Sequence, residues 1–232
     1  MKPYLRALSL NLTIAAFASP VFISSAHAAN LPQSVSLQYA GHYNGLTLPA
    51  TMTFTRNGKS YKVVSTIKVP LYHIRFESSG SISGNTIRPS YYKDVRGGKT
   101  YAEAKFRGNQ VTYGKTGELQ TETVGGNISD LFTLAWQLAA NDAKLPARLS
   151  ITNGKKIYPV SGMSKIGSGS YTLNGKATPV EKYRVQRGDD TVTYSFATAL
   201  GNILAQISYT DDGKTYDLKL TSVSINGKPV KP

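Results

Sequence analysis

The 232-residue chain contains no cysteine. It therefore has no disulfide, no metal site built on thiolates and no cysteine to which a lipid could be attached. Long apolar runs are also missing beyond residue 28, and a helix needs about 20 mostly apolar residues to span a bilayer. We expect a protein without a transmembrane segment after processing, held together by burial and sheet pairing alone.

Acidic residues are scarce as well. The chain has 13 Asp and Glu residues and 27 Lys and Arg residues, which gives a net charge of +14. Such a surplus favours long-range attraction to anionic surfaces. Outside the cytoplasm these surfaces are lipid headgroups, lipopolysaccharide and cell-wall polymers, so nucleic acid is not an expected partner. A basic surface without a dedicated partner is the open alternative.

The N-terminus has the three parts of a secretory signal peptide. Lys2 and Arg6 give a positive start, a mostly apolar stretch follows over residues 7–23, and Ala26-His27-Ala28 supplies the small residues that signal peptidase requires. A membrane anchor is the alternative, but polar residues and a proline interrupt the stretch. We expect a cleaved signal peptide over residues 1–28.

Turn-forming pairs of Asn, Asp and Gly recur along the rest of the chain, and the segments between them alternate apolar and polar residues. Alternation of period two is typical of a strand with one wet face, and such pairs favour hairpin turns. The sequence predicts a mainly β fold, an antiparallel meander that forms a curved sheet or partly open barrel. We expect one domain over residues 29–223 and a loose tail over residues 224–232. The turn pairs are Asn57-Gly58, Gly84-Asn85, Gly97-Gly98, Gly108-Asn109, Asn153-Gly154, Asn174-Gly175, Gly188-Asp189 and Asp212-Gly213.

One segment, residues 127–141, departs from this pattern. Its apolar residues recur at helical spacing, Asn127 or Ser129 can cap its start, and Pro146 follows its end. Apolar residues occupy much of the helix circumference around Trp136, so the helix must be largely covered. We expect the curved sheet to pack around this single central α-helix.

Histidine is rare too, because His42 and His73 are the only histidines after residue 28. No nucleophile elbow accompanies them, since Ser161-Gly162 and Ser168-Gly169 lie in Gly/Ser-rich stretches that we expect to form turns. A glycosidase needs two facing carboxylates, and each candidate lies near a basic residue or a turn. The sequence favours a protein that is not an enzyme and uses no cofactor or metal. The candidate carboxylates are Glu77, Asp94, Glu103, Glu118 and Glu122.

Basic residues and tyrosines are interleaved over residues 88–115. Residues two apart share one face of a strand, so Lys105 and Arg107 project together. Such a face can hold phosphate or carboxylate groups, while tyrosines stack on sugars or lie at a lipid interface. An ordinary wet sheet face would show the same pattern. Our candidate ligand-binding residues are Tyr72, Tyr91, Tyr92, Lys105, Arg107 and Trp136.

The predicted interior is apolar and admits two interpretations. Either the helix fills the sheet and leaves an ordinary core, or the sheet curves away and leaves an apolar cavity for a lipid-like ligand. Segments 46–49 and 69–72 would form the rim of that cavity. The inward-facing residues would be Phe54, Tyr61, Val63, Ile67, Val69, Phe76, Val192, Tyr194, Phe196, Ile207 and Leu218, with Leu131, Phe132, Trp136 and Leu138 from the helix.

Five segments carry a shared set of apolar and turn patterns: Leu37–Leu46, Asp130–Leu138, Glu181–Val185, Gly201–Tyr209 and Tyr216–Leu220. In these patterns the chain resembles an exported bacterial family catalogued as domain of unknown function 3108, over roughly residues 35–223. The resemblance implies a β-rich fold and a periplasmic location in a Gram-negative envelope. The patterns contain no catalytic motif, so the resemblance assigns no activity.

Three functions remain open. The first, which we predict, is a periplasmic binding or carrier protein for an envelope component, either lipid-like or an anionic glycan. The apolar interior and the basic, tyrosine-rich stretch both favour it. The second is an interaction module that pairs with another envelope protein through an open sheet edge. The third is a carbohydrate-active enzyme that uses paired carboxylates.

Overall fold

The structure is a computed structural model and describes residues 31–43, 46–70, 72–188, 190–211 and 214–230. The predicted signal peptide and the predicted turn Asp212-Gly213 lie outside the described residues. The side chains of Tyr43, Tyr72 and residues 209–216 lie outside the description as well.

The described chain is a series of strands with one α-helix, as the alternating pattern predicts. The strands are β1 (Ser34–Tyr43), β2 (Leu46–Asn57), β3 (Ser60–Val69), β4 (Tyr72–Ser83), β5 (Thr86–Arg96), β6 (Lys99–Arg107), β7 (Gln110–Lys115), β8 (Gln120–Thr123), β9 (Asn127–Asp130), β10 (Leu149–Thr152), β11 (Ile157–Leu173), β12 (Lys176–Arg187), β13 (Asp190–Ala197), β14 (Ile203–Asp211), β15 (Lys214–Ile225) and β16 (Lys228–Pro229), and the helix is α1 (Leu131–Ala140).

The strands form one open, curled sheet, which confirms the predicted fold class. Its order is β8-β7-β6-β5-β4-β3-β2-β1-β15-β14-β13-β12-β11-β10-β9, and β16 pairs with β15. Neighbours are antiparallel except β9 and β10, which are parallel. Strands β5 and β9 stand far apart in this order, yet they contact each other, so the sheet curls back on itself.

Because successive strands reverse direction, the sheet has two ends. We call the edge where β2, β4, β6 and β11 finish the helix end, and the edge where β1, β3, β5, β7 and β10 finish the open end. Six predicted turn pairs, from Asn57-Gly58 to Asn174-Gly175, lie between consecutive strands as expected. Gly58 shows why glycine is used there, because its φ of +57° is costly for a residue with a side chain.

The helix is shorter than the sequence predicts, and its cap differs. Residues 127–130 form strand β9 instead of a first helical turn, because they pair with β10. Neither Asn127 nor Ser129 is the cap: the Asp130 side chain accepts hydrogen bonds from the N–H groups of Phe132 and Thr133. Among the described residues, no helix is long and apolar enough to cross a membrane.

The helix packs toward one end of the curled sheet. Trp136 stacks on Phe54 of β2 with ring centroids 4.3 Å apart. The side-chain amide of Gln137 bonds the backbone next to the β4–β5 turn, donating to the Asn85 carbonyl and accepting from the Ile87 N–H. These contacts place α1 between β2 and the turn at the helix end.

Two local expectations differ from the structure. Ser161-Gly162 and Ser168-Gly169 lie inside the 17-residue strand β11 and not in turns, because β12 pairs with this stretch along its length. Residues 224–230, expected to belong to a loose tail, make backbone bonds: Asn226 N–H donates to the Ser34 carbonyl, and Val230 N–H donates to the Val223 carbonyl.

Candidate functional site

The interior divides into a closed half and an open half. At the helix end the inward apolar side chains are buried, including Phe54, Tyr61 and Val63. Toward the open end the inward side chains of β3 become partly exposed, as for Ile67 and Val69, whereas those of β2 stay buried, as for Leu48 and Ala50. The interpretation of an ordinary filled core therefore holds at the helix end, and Ile67 and Val69 line neither of the two clefts described below.

Partly buried apolar side chains on β3, β4, β14 and β15 face the interior toward the open end. Ile67 of β3 lies directly opposite Ile74 of β4, and Leu218 of β15 lies directly opposite Ile207 of β14. Between these pairs, Gly41 of β1 leaves room for the neighbouring side chain, since a Cβ there would stand 2.9 Å from Leu218 Cδ2. We call Ile67, Val69, Ile74, Ile207 and Leu218 the apolar wall.

The two predicted rim segments lie at the open end, at the β1–β2 and β3–β4 connections. Leu46 is the most exposed large apolar residue described, at 55%. Pro70 is exposed and Val69 is half-buried, while Leu71 and the side chain of Tyr72 lie outside the described residues. Leu46 and Pro70 of the predicted rim are therefore open to solvent, whereas Leu48 is buried.

A buried polar network anchors the start of the helix below this wall. Asp130 Oδ2 accepts hydrogen bonds from the hydroxyls of Ser78, at 2.7 Å, and Thr133, at 2.6 Å. The Tyr61 hydroxyl lies 2.5 Å from Thr133 Oγ1. Burial raises the pKa of Asp130 above its ordinary value, although the four hydrogen bonds it accepts oppose that shift. The network fixes α1 to β3 and β4 and has no open path to a substrate among the described contacts.

The candidate ligand-binding residues fall into separate places. Tyr91 and Lys105 are cross-strand neighbours on the outer face of the sheet, and both bond Glu103. Burial and the Glu103 carboxylate raise the pKa of the Tyr91 hydroxyl to about 12. Arg107 is exposed two residues along β6 from Lys105. On this outer face, Tyr91 and Lys105 are therefore already engaged by Glu103.

The other two candidates whose side chains are described belong to the core. Tyr92 is 1% exposed and stacks near Phe132 of the helix, with centroids 6.3 Å apart. Trp136 is 4% exposed, and its indole N–H has no hydrogen-bond partner among the described residues. The structure therefore joins Tyr91 with Lys105 but does not bring the six predicted residues into one site.

The carboxylates considered for catalysis are mostly engaged by neighbours. Glu77 bonds Lys62 and Arg75, each at 3.2 Å. Asp94 is buried and accepts from Arg96 at 3.0 Å, and Glu122 accepts from the Tyr113 hydroxyl. None of the five lines either of two clefts found among the described residues.

Those two clefts are small and are lined by both polar and apolar residues. One, of about 250 Å³, lies between the start of β5, strand β9 and the helix, and Arg88, Asn127 and Gln137 line it. The other, of about 150 Å³, is lined by Asp142, Glu181 and Tyr183 among others. Pockets for drug-sized ligands typically measure about 300–1,000 Å³, so neither cleft is a strong candidate for a large ligand.

Sequence reasoning missed part of the wall. Ile74 is absent from the predicted inward residues, although it lies two residues before Phe76 in β4. Residues two apart share one face of a strand, so this spacing could have identified Ile74. The difference in burial between the two ends was not readable from the sequence, because it depends on where the helix packs.

Comparisons with known proteins support the fold and the family. The family described as "Protein of unknown function (DUF3108)" matches residues 38–221. A solved structure, described as a beta-barrel-like protein of domain of unknown function DUF1849 from Brucella abortus, is similar with a TM-score of 0.54 at 8% identity. That match covers 84% of this chain and 99% of that one. No curated protein matches the sequence.

Proposed function

This chain belongs to the family described as Protein of unknown function (DUF3108), and we propose that it is a periplasmic, non-catalytic binding protein for a lipid-like envelope component. One observation carries the proposal: the helix packs at one end of the curled sheet, whereas the apolar wall toward the other end remains partly exposed. The ligand would lie against this wall, at the open end.

The energetic argument concerns surface that is left uncovered. Burial of apolar area stabilises by about 25 cal/mol per Å², and contiguous exposed apolar patches often mark binding sites. Ile67 and Leu218 pack against the core on one side while part of each remains in contact with solvent. An acyl chain laid along the wall would remove that remaining area from water.

A lipid-like ligand fits better than an anionic glycan. The glycan hypothesis depended on the outer face of β5 and β6, where Tyr91 and Lys105 already bond Glu103. A sugar polymer would have to displace these bonds, whereas the apolar wall has no competing polar partner to displace. The proposal is therefore for an apolar ligand on the inner face.

The test combines native mass spectrometry with a matched pair of variants. Protein purified from a Gram-negative periplasm should carry an added mass that organic extraction removes. Ile67→Asn should lose the added mass, because it places an amide in the apolar wall. Val64→Asn changes a half-buried residue on the outer face of the same strand and should retain it. Protein with no added mass, and no uptake of a fluorescent long-chain fatty acid, would refute the proposal.

A second candidate function, the interaction module, is favoured by strand β11. Beyond its first residues, which pair with β10, this strand pairs only with β12 among the described strands, so its other edge carries no strand over residues 160–170. Near the end of β11, the Tyr171 hydroxyl donates to the Leu220 carbonyl of β15. Only one charged residue, Lys165, lies in this stretch. An extended segment of a partner can add to such an edge.

A proline scan separates this second function from the first. Proline at Ser168, Gly169 and Ser170 in turn removes N–H groups that point alternately toward and away from β12. Variants whose lost N–H points away should keep the fold and lose a crosslinked envelope partner. Retention of every crosslinked partner by all three variants would argue against the module.

A further inference from the structure

Two basic residues lie over one tyrosine ring at the open end, and three more lie next to them in sequence or strand register. The Arg96 guanidinium carbon lies 3.9 Å from the centre of the Tyr101 ring, and Lys155 Nζ lies 6.0 Å from it. Lys99 is the cross-strand neighbour of Arg96. Lys115 is placed beside Ala102 at the end of β7. We call Arg96, Lys99, Lys115, Lys155 and Lys156 the basic cluster.

The turn that presents two of these lysines is held by its own hydrogen bonds. The Asn153 side-chain oxygen accepts from the N–H groups of both Lys155 and Lys156. Thr152 Oγ1 accepts from the Gly154 N–H and donates to the Lys156 carbonyl. Gly154 also packs closely on Tyr92, which joins the β10–β11 turn to β5. The lysines therefore project from a fixed backbone.

Within the basic cluster, only Arg96 has an acidic partner among the described residues. Asp94 is buried and bonds Arg96, and Glu118 is an exposed acid in the nearby β7–β8 turn. Lys99, Lys115, Lys155 and Lys156 make no ion pair with any described residue. The four lysines therefore give the basic cluster a net positive charge.

Exposed apolar residues lie at the same end. Leu46, at 55% exposure, begins β2, and Leu119, at 44% exposure, lies in the β7–β8 turn. Ile166, the third exposed large apolar residue among those described, lies within β11. Cations beside protruding leucines are the combination by which peripheral proteins associate with anionic bilayers.

We propose that the open end docks on an anionic phospholipid bilayer, with the basic cluster on the headgroups and Leu46 and Leu119 entering the interface. We identify an anionic bilayer as the partner because its negative charge complements the basic cluster. Docking through the open end would bring the apolar wall toward the lipid. The biological purpose of docking rests on the proposed function, but docking itself can be measured without any bound ligand.

Vesicle cosedimentation tests the docking. The protein should sediment with vesicles containing phosphatidylglycerol and stay in solution with pure phosphatidylcholine. Lys155→Ala combined with Lys156→Ala should weaken binding about 25-fold, since each basic side chain near an anionic surface accounts for about fivefold. Binding should also decline as salt shortens the screening length from about 10 Å at 0.1 M to about 3 Å at 1 M.

The matched control changes the same charge at the opposite end. Lys59 and Lys176 are exposed in the turns before β3 and at the start of β12, at the helix end. Lys59→Ala combined with Lys176→Ala should bind anionic vesicles within about twofold of the unmodified protein. Equal losses in the two double variants would overturn the inference, because net charge alone would then explain binding.

A tryptophan reporter tests the insertion of the leucines. Trp136 is the only tryptophan of the chain and is buried, so Leu119→Trp adds an exposed fluorophore. Its emission should shift to the blue with anionic vesicles and stay unchanged with phosphatidylcholine. No shift with either vesicle would overturn insertion at this turn.

Failure of docking and failure of the proposed function give different results. The Lys155→Ala, Lys156→Ala protein should still take up a fluorescent long-chain fatty acid, and Ile67→Asn should still sediment with anionic vesicles. No sedimentation with anionic vesicles would overturn the docking and leave the basic cluster to an acidic partner protein.

Discussion

The side-chain oxygen of Gln137 accepts a hydrogen bond from the backbone N–H of Ile87 at 2.6 Å. A helix side chain thus supplies the kind of hydrogen bond that a neighbouring strand would otherwise make. The same amide donates to the Asn85 carbonyl at 2.8 Å. We predict that Gln137→Leu lowers the free energy of unfolding by about 1–3 kcal/mol, because it leaves buried backbone groups without partners. Urea unfolding followed by circular dichroism measures the change.

Gln110→Leu is the matched control for this variant. Gln110 is exposed at the start of β7, and exposed substitutions usually change stability by less than about 0.5 kcal/mol. A Gln137→Leu protein as stable as the Gln110→Leu protein would show that the helix needs no such bond to the sheet.

The fold was predictable because its signals are local. The alternation in Tyr101–Arg107 and the Asn57-Gly58 pair specify a strand and a turn without reference to the rest of the chain. Residues 127–130 were misassigned to the helix because their apolar spacing suits both states. Only pairing with β10, more than 20 residues later in the chain, decides the matter.

The candidate site was less predictable because it depends on distant contacts. Tyr91 and Tyr92 are adjacent in sequence, yet one lies on the outer face and the other in the core, as strand geometry requires. Lys155 and Tyr101 are 54 positions apart and meet only because the sheet curls. No spacing rule predicts such a meeting from one sequence.

The stability contributed by Asp130 should depend on pH with a definite sign. Burial raises the pKa of its carboxyl above the ordinary 3.8, so the folded protein binds this proton more tightly than the unfolded chain does. As pH rises from 3.8 through the folded-state pKa, stability should fall relative to Asp130→Asn, by up to about 1.4 kcal/mol per pH unit. Urea unfolding of both proteins across that pH range measures the difference.

Glu181→Gln provides a comparison of opposite sign. Hydrogen bonds from Lys165 and Tyr183 lower the pKa of Glu181 below its ordinary 4.5. Its contribution is therefore present above 4.5 and is lost as pH falls through the folded-state pKa. If the differences for Asp130→Asn and Glu181→Gln changed with pH in the same direction, the burial argument for Asp130 would be wrong.

Gly154 is constrained both by its backbone and by its neighbours. Its φ is +83°, and a Cβ would lie 2.9 Å from Tyr92 Cε1 and 3.3 Å from Ala102 Cβ. Gly58 shares a positive φ, +57°, but has open space around it. We predict that Gly58→Ala costs about 1 kcal/mol and that Gly154→Ala costs about 1–3 kcal/mol more. Thermal unfolding of both variants measures the excess, and equal losses would mean that the turn moves away from Tyr92 at no cost.

Two isoleucines on the inner face of β4 separate stability from binding. Ile82 is 6% exposed at the helix end, and Ile74 is half-buried at the open end. Ile82→Ala should cost about 2–5 kcal/mol, as truncation of a buried isoleucine does. Ile74→Ala should cost less than half of that, because solvent already reaches part of its side chain.

Binding should follow the opposite order. Ile74→Ala removes a methyl-rich part of the apolar wall and should weaken uptake of a fluorescent long-chain fatty acid about tenfold, since roughly two buried methylene equivalents are worth about 1.6 kcal/mol. Ile82→Ala should bind the fatty acid normally wherever it remains folded. If Ile74→Ala and Ile82→Ala each reduced stability and fatty-acid binding together, the interior would be one undivided core. The open end would then have no separate role in binding.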